Sequence, residues 1–228
     1  MKKVLLMAAV AVFGFSNMNA QNVSFGVKAG MNISTVAGDF GNYYDYWDGD
    51  QTRDSKSKVG FHVGGLAEIM ISEKFAVQPE LLFSSQGYKT SFYDIDDNKK
   101  DNNVNLSYIT LPVMAKFFPI ENLSIEAGPQ VGFLISAKDD ESDYYNDMFP
   151  DEEEIKTKDA FKGTDFAMNI GAGYKLDNGV FFQARYSFGL SKVDDEDYYN
   201  DPDYGDVYNN FAFSRKNRVF QLSVGYMF

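Results

Sequence analysis

The chain has 228 residues, no cysteine, one histidine and a net charge of −12. That length suits one domain, the lack of thiols excludes a disulfide framework and the usual zinc sites, and the acidic balance speaks against a nucleic-acid partner. Aromatic residues still make up 16% of the chain, and so many rings in an acidic protein need an apolar place to go.

The first element predicted is a leader. Lys2 and Lys3 precede an apolar run from Val4 to Phe15, and a small residue, Ala20, closes the segment. The run is too short to span a bilayer comfortably. Its flanks match a secretory signal peptide, residues 1–20, cleaved after Ala20. No cysteine follows to carry a lipid anchor, and no later apolar run approaches the length of a membrane helix.

Behind the leader, apolar and polar residues alternate with period two in eight segments: 22–34, 58–71, 75–90, 104–118, 122–137, 165–176, 180–192 and 213–228. In the first, Val23, Phe25, Val27, Ala29, Met31 and Ile33 share one phase. The fourth repeats this with Ile109, Leu111, Val113, Ala115 and Phe117. The seventh does so with Val180, Phe182, Ala184, Tyr186, Phe188 and Leu190, and the last with Phe220, Leu222, Val224, Tyr226 and Phe228. Charges within the strands keep to the other phase: Lys28, Glu68, Glu80, Lys116, Glu126, Lys175 and Arg185. Lys89, Lys192 and Arg218 break the phase only near strand ends.

A soluble sandwich would also alternate. Three features select a membrane barrel. Tight links ("MISEKF", "FPIENL", "KLDNGV") alternate strictly with long ones (35–57, 91–103, 138–164, 193–212), the plan of a barrel with short periplasmic turns and long extracellular loops. Glycines crowd the polar phase, as a narrow interior requires. Aromatic residues gather near strand ends, where membrane barrels carry interfacial girdles. The predicted fold is all-β: a transmembrane, eight-stranded, antiparallel up-and-down β-barrel over residues 21–228, exported to the outer membrane and surrounded by its lipid.

The segments "FGVKAGMN", "QPELLFSSQGYK", "YITLPVMAKFF", "GPQVGFLI", "FQARYSFGLS" and "LSVGYMF" resemble those of the PorT-like outer-membrane β-barrel family. The most specific parts are Pro79-Glu80, Leu111-Pro112 and Arg185-Tyr186. The resemblance covers nearly the whole exported chain. It implies a small barrel, in a family with one branch that serves a secretion system. It also implies that the aromatic last strand, Tyr226 and Phe228 above all, is the signal read by the barrel insertion machinery.

Eight strands leave an interior that side chains just fill, so a packed polar lumen is expected. Counting back from the Asp-Asn-Gly turn, with Gly179 left-handed, puts Arg185 opposite Gly171. The Phe118–Leu123 turn puts Lys116 and Glu126 on facing or neighbouring inward positions. A lumen salt-bridge network of Glu68, Glu80, Lys116, Glu126 and Arg185 follows, because buried charges must pair; an ion path through the same residues is the alternative. His62 points inward and is expected to bond to its neighbours. No motif sets it in a catalytic triad, and neither an enzyme nor a cofactor is predicted.

The long loops carry "NYYDYWD" (42–48), "DYYND" (143–147) and "DYYND" again (197–201), among runs of Asp and Glu. Tyr144, Tyr145, Tyr198 and Tyr199 are the candidate contact residues for an extracellular partner, since tyrosines supply rigid contact area. The carboxylates suggest a cation instead, although no loop has the spacing of a calcium loop. The function expected is a structural or surface-interaction role through these loops. The alternative is a component of a transport or secretion system that uses the lumen or the periplasmic turns.

Overall fold

The computed structural model describes residues 23–38, 55–93, 99–148, 157–195 and 214–228. The predicted leader and loop segments 42–48 and 197–201, with Tyr198 and Tyr199, lie outside the described residues. Among those described, eight strands form one closed ring, each antiparallel to its sequence neighbours and the last paired with the first. They are β1 (Val23–Ala37), β2 (Lys56–Ser72), β3 (Phe75–Tyr93), β4 (Lys99–Ile120), β5 (Leu123–Asp139), β6 (Thr164–Lys175), β7 (Val180–Gly189) and β8 (Lys216–Met227). The predicted all-β, eight-stranded antiparallel barrel is the fold observed.

The registers give the stagger of the ring. From Val23 they run through Ile69, Val77, Ala115, Ala127, Ile170, Tyr186 and Phe220, and return to β1 at Ile33, ten residues along. Such a stagger tilts the strands by roughly 35–45° to the barrel axis. Curvature this tight brings some strands too close for a side chain. A Cβ on Gly64 would stand 2.8 Å from the Leu82 Cα, and one on Gly128 2.9 Å from the Met114 Cα. Glycine at these inward positions is thus a device for bending the sheet.

The apolar phase faces out. Phe25 is 64% exposed, Phe61 53% and Phe182 51%, and apolar side chains on every strand share that outer face. A belt this large around a whole molecule has no place in water; it is the surface a bilayer covers. Among the described residues no helix is long and apolar enough to cross a membrane; the strands do the crossing.

Two elements depart from expectation. The β3–β4 hairpin is longer than predicted, reaching Tyr93 and resuming at Lys99, so most of the expected loop 91–103 is strand. The expected loop 138–164 contains a helix, α1 (Asp140–Met148), and a 3-10 turn (Thr157–Ala160). Acidic residues open α1, where the helix dipole favours them, and Pro150 follows its end, where a helix must stop. At the other end of the barrel the turns are tight. Leu176 N–H donates to the Val180 carbonyl at 2.7 Å, and Gly179 takes φ +90° as the sequence required.

Candidate functional site: a layered, closed lumen

The inward phase builds four layers. Nearest the tight turns, Glu68 on β2 accepts from Lys116 on β4 at 2.6 Å and from Lys175 on β6 at 3.3 Å. Lys116 also donates to Gln78 Oε1 at 3.0 Å. The next layer is buried on all sides. Arg185 grips Glu80 with both ends of its guanidinium, at 2.7 and 2.9 Å. Lys28 Nζ reaches Glu80 Oε2 at 2.8 Å and Gln183 Oε1 at 2.8 Å. Bidentate contact with a planar carboxylate is what arginine does best, and in this dry layer Glu80 is the anion common to two cations.

Glu126 sits in this layer on different terms. Its Cα faces Lys116 across the β4–β5 ladder and Gly171 across the β5–β6 ladder, and Arg185 faces Gly171, as the turn counts required. Yet the Lys116 ammonium goes to Glu68. Among the described residues Glu126 forms its one ion pair with Arg185, at 3.7 Å, and accepts no hydrogen bond. Facing Cα atoms set which strand a side chain leaves from, and its length and tilt decide where it ends. The five residues predicted as one network thus fall into two ion-pair groups, which Gln78 joins by accepting from Lys116 at 3.0 Å and donating to Glu80 at 2.7 Å. Lys28 and Lys175, read from the sequence as inward but left out of that network, complete them.

The third layer holds His62. Its Nδ1 lies 2.8 Å from Asn32 Oδ1, and its Nε2 2.8 Å from Ser223 Oγ. Asn32 donates its amide to the Phe61 and Ser85 carbonyls, which leaves Oδ1 as acceptor. Nδ1 therefore carries the proton, and Ser223 donates to Nε2. A Cβ on Gly30 would stand 2.6 Å from His62 Cε1, so the imidazole is wedged against backbone. This cluster ties β1, β2 and β8 across the seam that closes the ring.

The fourth layer, at the loop end, is apolar. Val36, Tyr88, Val104, Leu106, Tyr108 and Leu134 turn inward and pack with Phe161 and Val193. Phe161 and Val193 come from the segments beyond β5 and β7, joined by a bridge between Phe161 and Asp194 and by the Lys162 N–H to Val193 carbonyl bond at 2.8 Å. Arg215 pairs with Asp194 and donates to the Tyr88 hydroxyl at 2.5 Å. Asp165 accepts from Ser191 at 2.8 Å and from Asn217 at 3.1 Å. The roof over the lumen is thus locked at both sides. The sequence reading missed it, although the signal was present: at Val104, Leu106 and Tyr108 the apolar residues change phase relative to Ile109–Phe117.

Of the loop candidates, Tyr144 and Tyr145 lie on α1, where Tyr144 is half-buried. The start of α1 is tied to β4 by Asn103, whose side chain donates to Asp140 at 2.6 Å. Tyr226 and Phe228 stand on the outer face at the turn end with rings 5.5 Å apart, and the Phe228 N–H still donates to the Phe25 carbonyl at 2.8 Å. Among the described residues no three His, Asp or Glu side chains converge to hold a metal ion.

A closed, membrane-belted barrel with a filled interior is the class that this geometry defines. The chain belongs to the outer membrane protein beta-barrel domain family, whose family model matches residues 19–195, and its place is the outer membrane. No curated protein sequence matches it. Solved structures similar to it include Neisserial surface protein A, at 12% identity over 90% of this chain and 99% of that one, with a TM-score of 0.48. Ail, the attachment invasion locus protein of Yersinia pestis, was solved in complex with the heparin analogue sucrose octasulfate; it is similar at 14% identity over 91% and 99%, with a TM-score of 0.45. OprG from Pseudomonas aeruginosa is similar at 12% identity over 91% and 96%, with a TM-score of 0.45.

Proposed function

We propose that this protein is a closed outer-membrane barrel that works at its loop end, as a structural or surface-interaction protein, and that its lumen is a support and not a conduit. One observation carries the reading: the lumen is filled twice over. The side chains of Lys28, Glu80 and Arg185 have no exposed surface, and beyond them the apolar roof closes the other end. An ion crossing this interior would have to break the Glu80–Arg185 pair and then dehydrate beneath Phe161 and Val193. The loop end, by contrast, is raised above the belt on the long β3–β4 hairpin and carries α1 with Tyr144 and Tyr145. The loops bearing Tyr198, Tyr199 and the clustered carboxylates leave the same rim, where a partner or a cation would meet them.

Membership of the PorT-like family belongs to the same proposal. Two of its three motifs, Pro79-Glu80 and Arg185-Tyr186, supply the two halves of the bidentate pair at the centre of the lumen. The test is conductance. The purified chain in planar bilayers is expected to show no steady current, and shortening segments 140–156 and 196–212, outside the roof residues Phe161, Val193 and Asp194, is expected to leave a heat-modifiable barrel that has lost its surface contact. Regular single-channel steps in the intact protein would overturn the reading and favour the transport alternative.

A further inference from the structure

β8, β1, β2 and β3 are consecutive in the ring. Their only carboxylates, Glu68 and Glu80, point into the lumen, so their outer phase carries no acid from end to end. It does carry cations. Lys56 on β2, Lys89 on β3, and Lys216 and Arg218 on β8 lie beyond the last belt residues of their strands, toward the loop end. Allowing for the stagger of the ring, the four stand in a band roughly 10 Å deep, at and just above the upper edge of the belt. The net charge of the chain is −12, and at the turn-end rim the exposed charges Glu73, Lys74, Glu121 and Asp177 are mixed. The cations of the upper band are set without counter-ions. Lys56 and Lys89 are direct partners across the β2–β3 ladder, a like-charge pair that weakens a sheet. Arg218 gives Nη1 to the Gly189 and Asn217 carbonyls at 3.1 and 2.9 Å, which fixes its guanidinium and leaves Nε and Nη2. Among the described residues none of the four forms an ion pair. Lys58, beside them, donates to Asn105, and Asp140 is taken up by Asn103. Between the two pairs lies β1, where Thr35 faces Arg218 and Ala37 faces Lys216. These short side chains make a low saddle, two strand spacings or about 10 Å across, with exposed Ile33, Phe61 and Phe220 below it.

We propose that this face is a docking site for an acylated lipid of the outer leaflet whose headgroup carries two phosphate groups. One phosphate sits between Lys56 and Lys89 and relieves their repulsion. The other sits between Lys216 and Arg218, the headgroup body lies over Thr35 and Ala37, and the acyl chains run down over Ile33, Phe61 and Phe220. Clustered Lys and Arg at a membrane surface attract anionic headgroups, and the free edge of a guanidinium matches phosphate oxygens. The belt already holds the acyl chains at this depth, so the headgroup arrives level with the cations. A lipid with one phosphate satisfies one pair and leaves the other as it is. The inference rests on the place of the barrel in the outer membrane and is independent of what the loops contact.

The experiment uses the full chain refolded in zwitterionic micelles, with bound lipids counted by native mass spectrometry. The probes are diphosphoryl lipid A, its monophosphoryl form and phosphatidylglycerol. One diphosphoryl lipid A per barrel is expected, held about tenfold more tightly than either of the others. Lys56→Gln with Lys89→Gln, and separately Lys216→Gln with Arg218→Gln, should each weaken it about tenfold, the loss of one set of charge-assisted contacts. Raised salt should weaken it too. Lys138→Gln, at an exposed position on β5 across the ring, should leave retention unchanged. All the variants should remain heat-modifiable, since no substituted side chain is in the lumen. Equal retention of the three lipids would mean that acyl chains alone bind and would overturn the proposal. So would unchanged retention in both double variants, which would give these cations to the loop carboxylates. An equal loss in Lys138→Gln would reduce the site to general charge and overturn it as well.

Discussion

The two halves of the lumen are lined by the same phase of the same strands, yet one is filled by a cross-lumen set of charges and the other by an apolar cluster with the Arg215–Asp194 pair at its side. On the turn side the inward residues of β1, β3, β5 and β7 include Lys28, Glu80, Glu126 and Arg185. On the loop side the inward residues of β1, β3, β4 and β5 include Val36, Tyr88, Val104, Leu106 and Leu134, beside the smaller polar Ser34, Thr90 and Asn102. The outer phase changes in the opposite sense. On β4 it runs Phe117, Ala115, Val113, Leu111 and Ile109 through the belt, then Ser107, Asn105 and Asn103 beyond it. Where lipid surrounds a strand, its apolar side must face out and its polar groups must satisfy one another inside. Where water surrounds it, the ordinary rule returns and the apolar side faces in. The position of the inversion, near Ser107 and Tyr108, marks where the strands leave the membrane.

If that contrast is right, the charged half is held by pairing and the oily half by packing, and substitutions should separate the two. The largest effect is expected from Glu80→Ala, which strands both Arg185 and Lys28 without their shared anion. Breaking a buried pair from one side costs about 3–5 kcal/mol, read as a lower midpoint in denaturant refolding from micelles. Glu80→Met combined with Lys28→Met should recover part of the loss, because Arg185 keeps Glu126 at 3.7 Å, and no recovery would mean that the cluster acts through shape and not charge. Next comes Leu106→Ala in the roof, expected to cost about 2–5 kcal/mol as a cavity in a packed core. Its signature differs: protease sensitivity should appear at the loop end first, while the belt stays heat-modifiable. Simultaneous loss of both halves would erase the distinction.

A smaller effect tests how charges are shared. A double-mutant cycle of Lys116→Ala with Glu68→Ala should show coupling of about 1–3 kcal/mol, and the cycle of Lys116→Ala with Glu126→Ala should be close to additive. The reverse order would mean that the facing register, and not side-chain reach, decides partners. Smallest of all should be Phe228→Ala in detergent. Its side chain is 76% exposed on the lipid face, where a single surface change shifts stability by about 0.5 kcal/mol or less. Assembly in cells should suffer much more if Tyr226 and Phe228 are read by the insertion machinery. Equal, small losses in both assays would reduce Phe228 to a packing residue.

Sequence by itself determined the strand count, the antiparallel ring, which phase meets lipid, and the Gly179 turn. All of these follow from local periodicity and turn chemistry, which act over a few residues. It also placed Arg185 across from Gly171 and Lys116 across from Glu126, because a tight turn fixes register by counting. Only the tertiary structure decided who pairs with whom. Lys28 reaches Glu80 from a strand two places away, and Arg185 reaches it across the lumen; no count along a hairpin contains those distances. The roof is the same kind of fact. Phe161 and Val193 belong to no strand, and Val36, Leu106 and Leu134 break the lumen's polar phase, so each looks irregular in its own segment. Closing the ring brings them to one place, and there their burial away from water makes them a core.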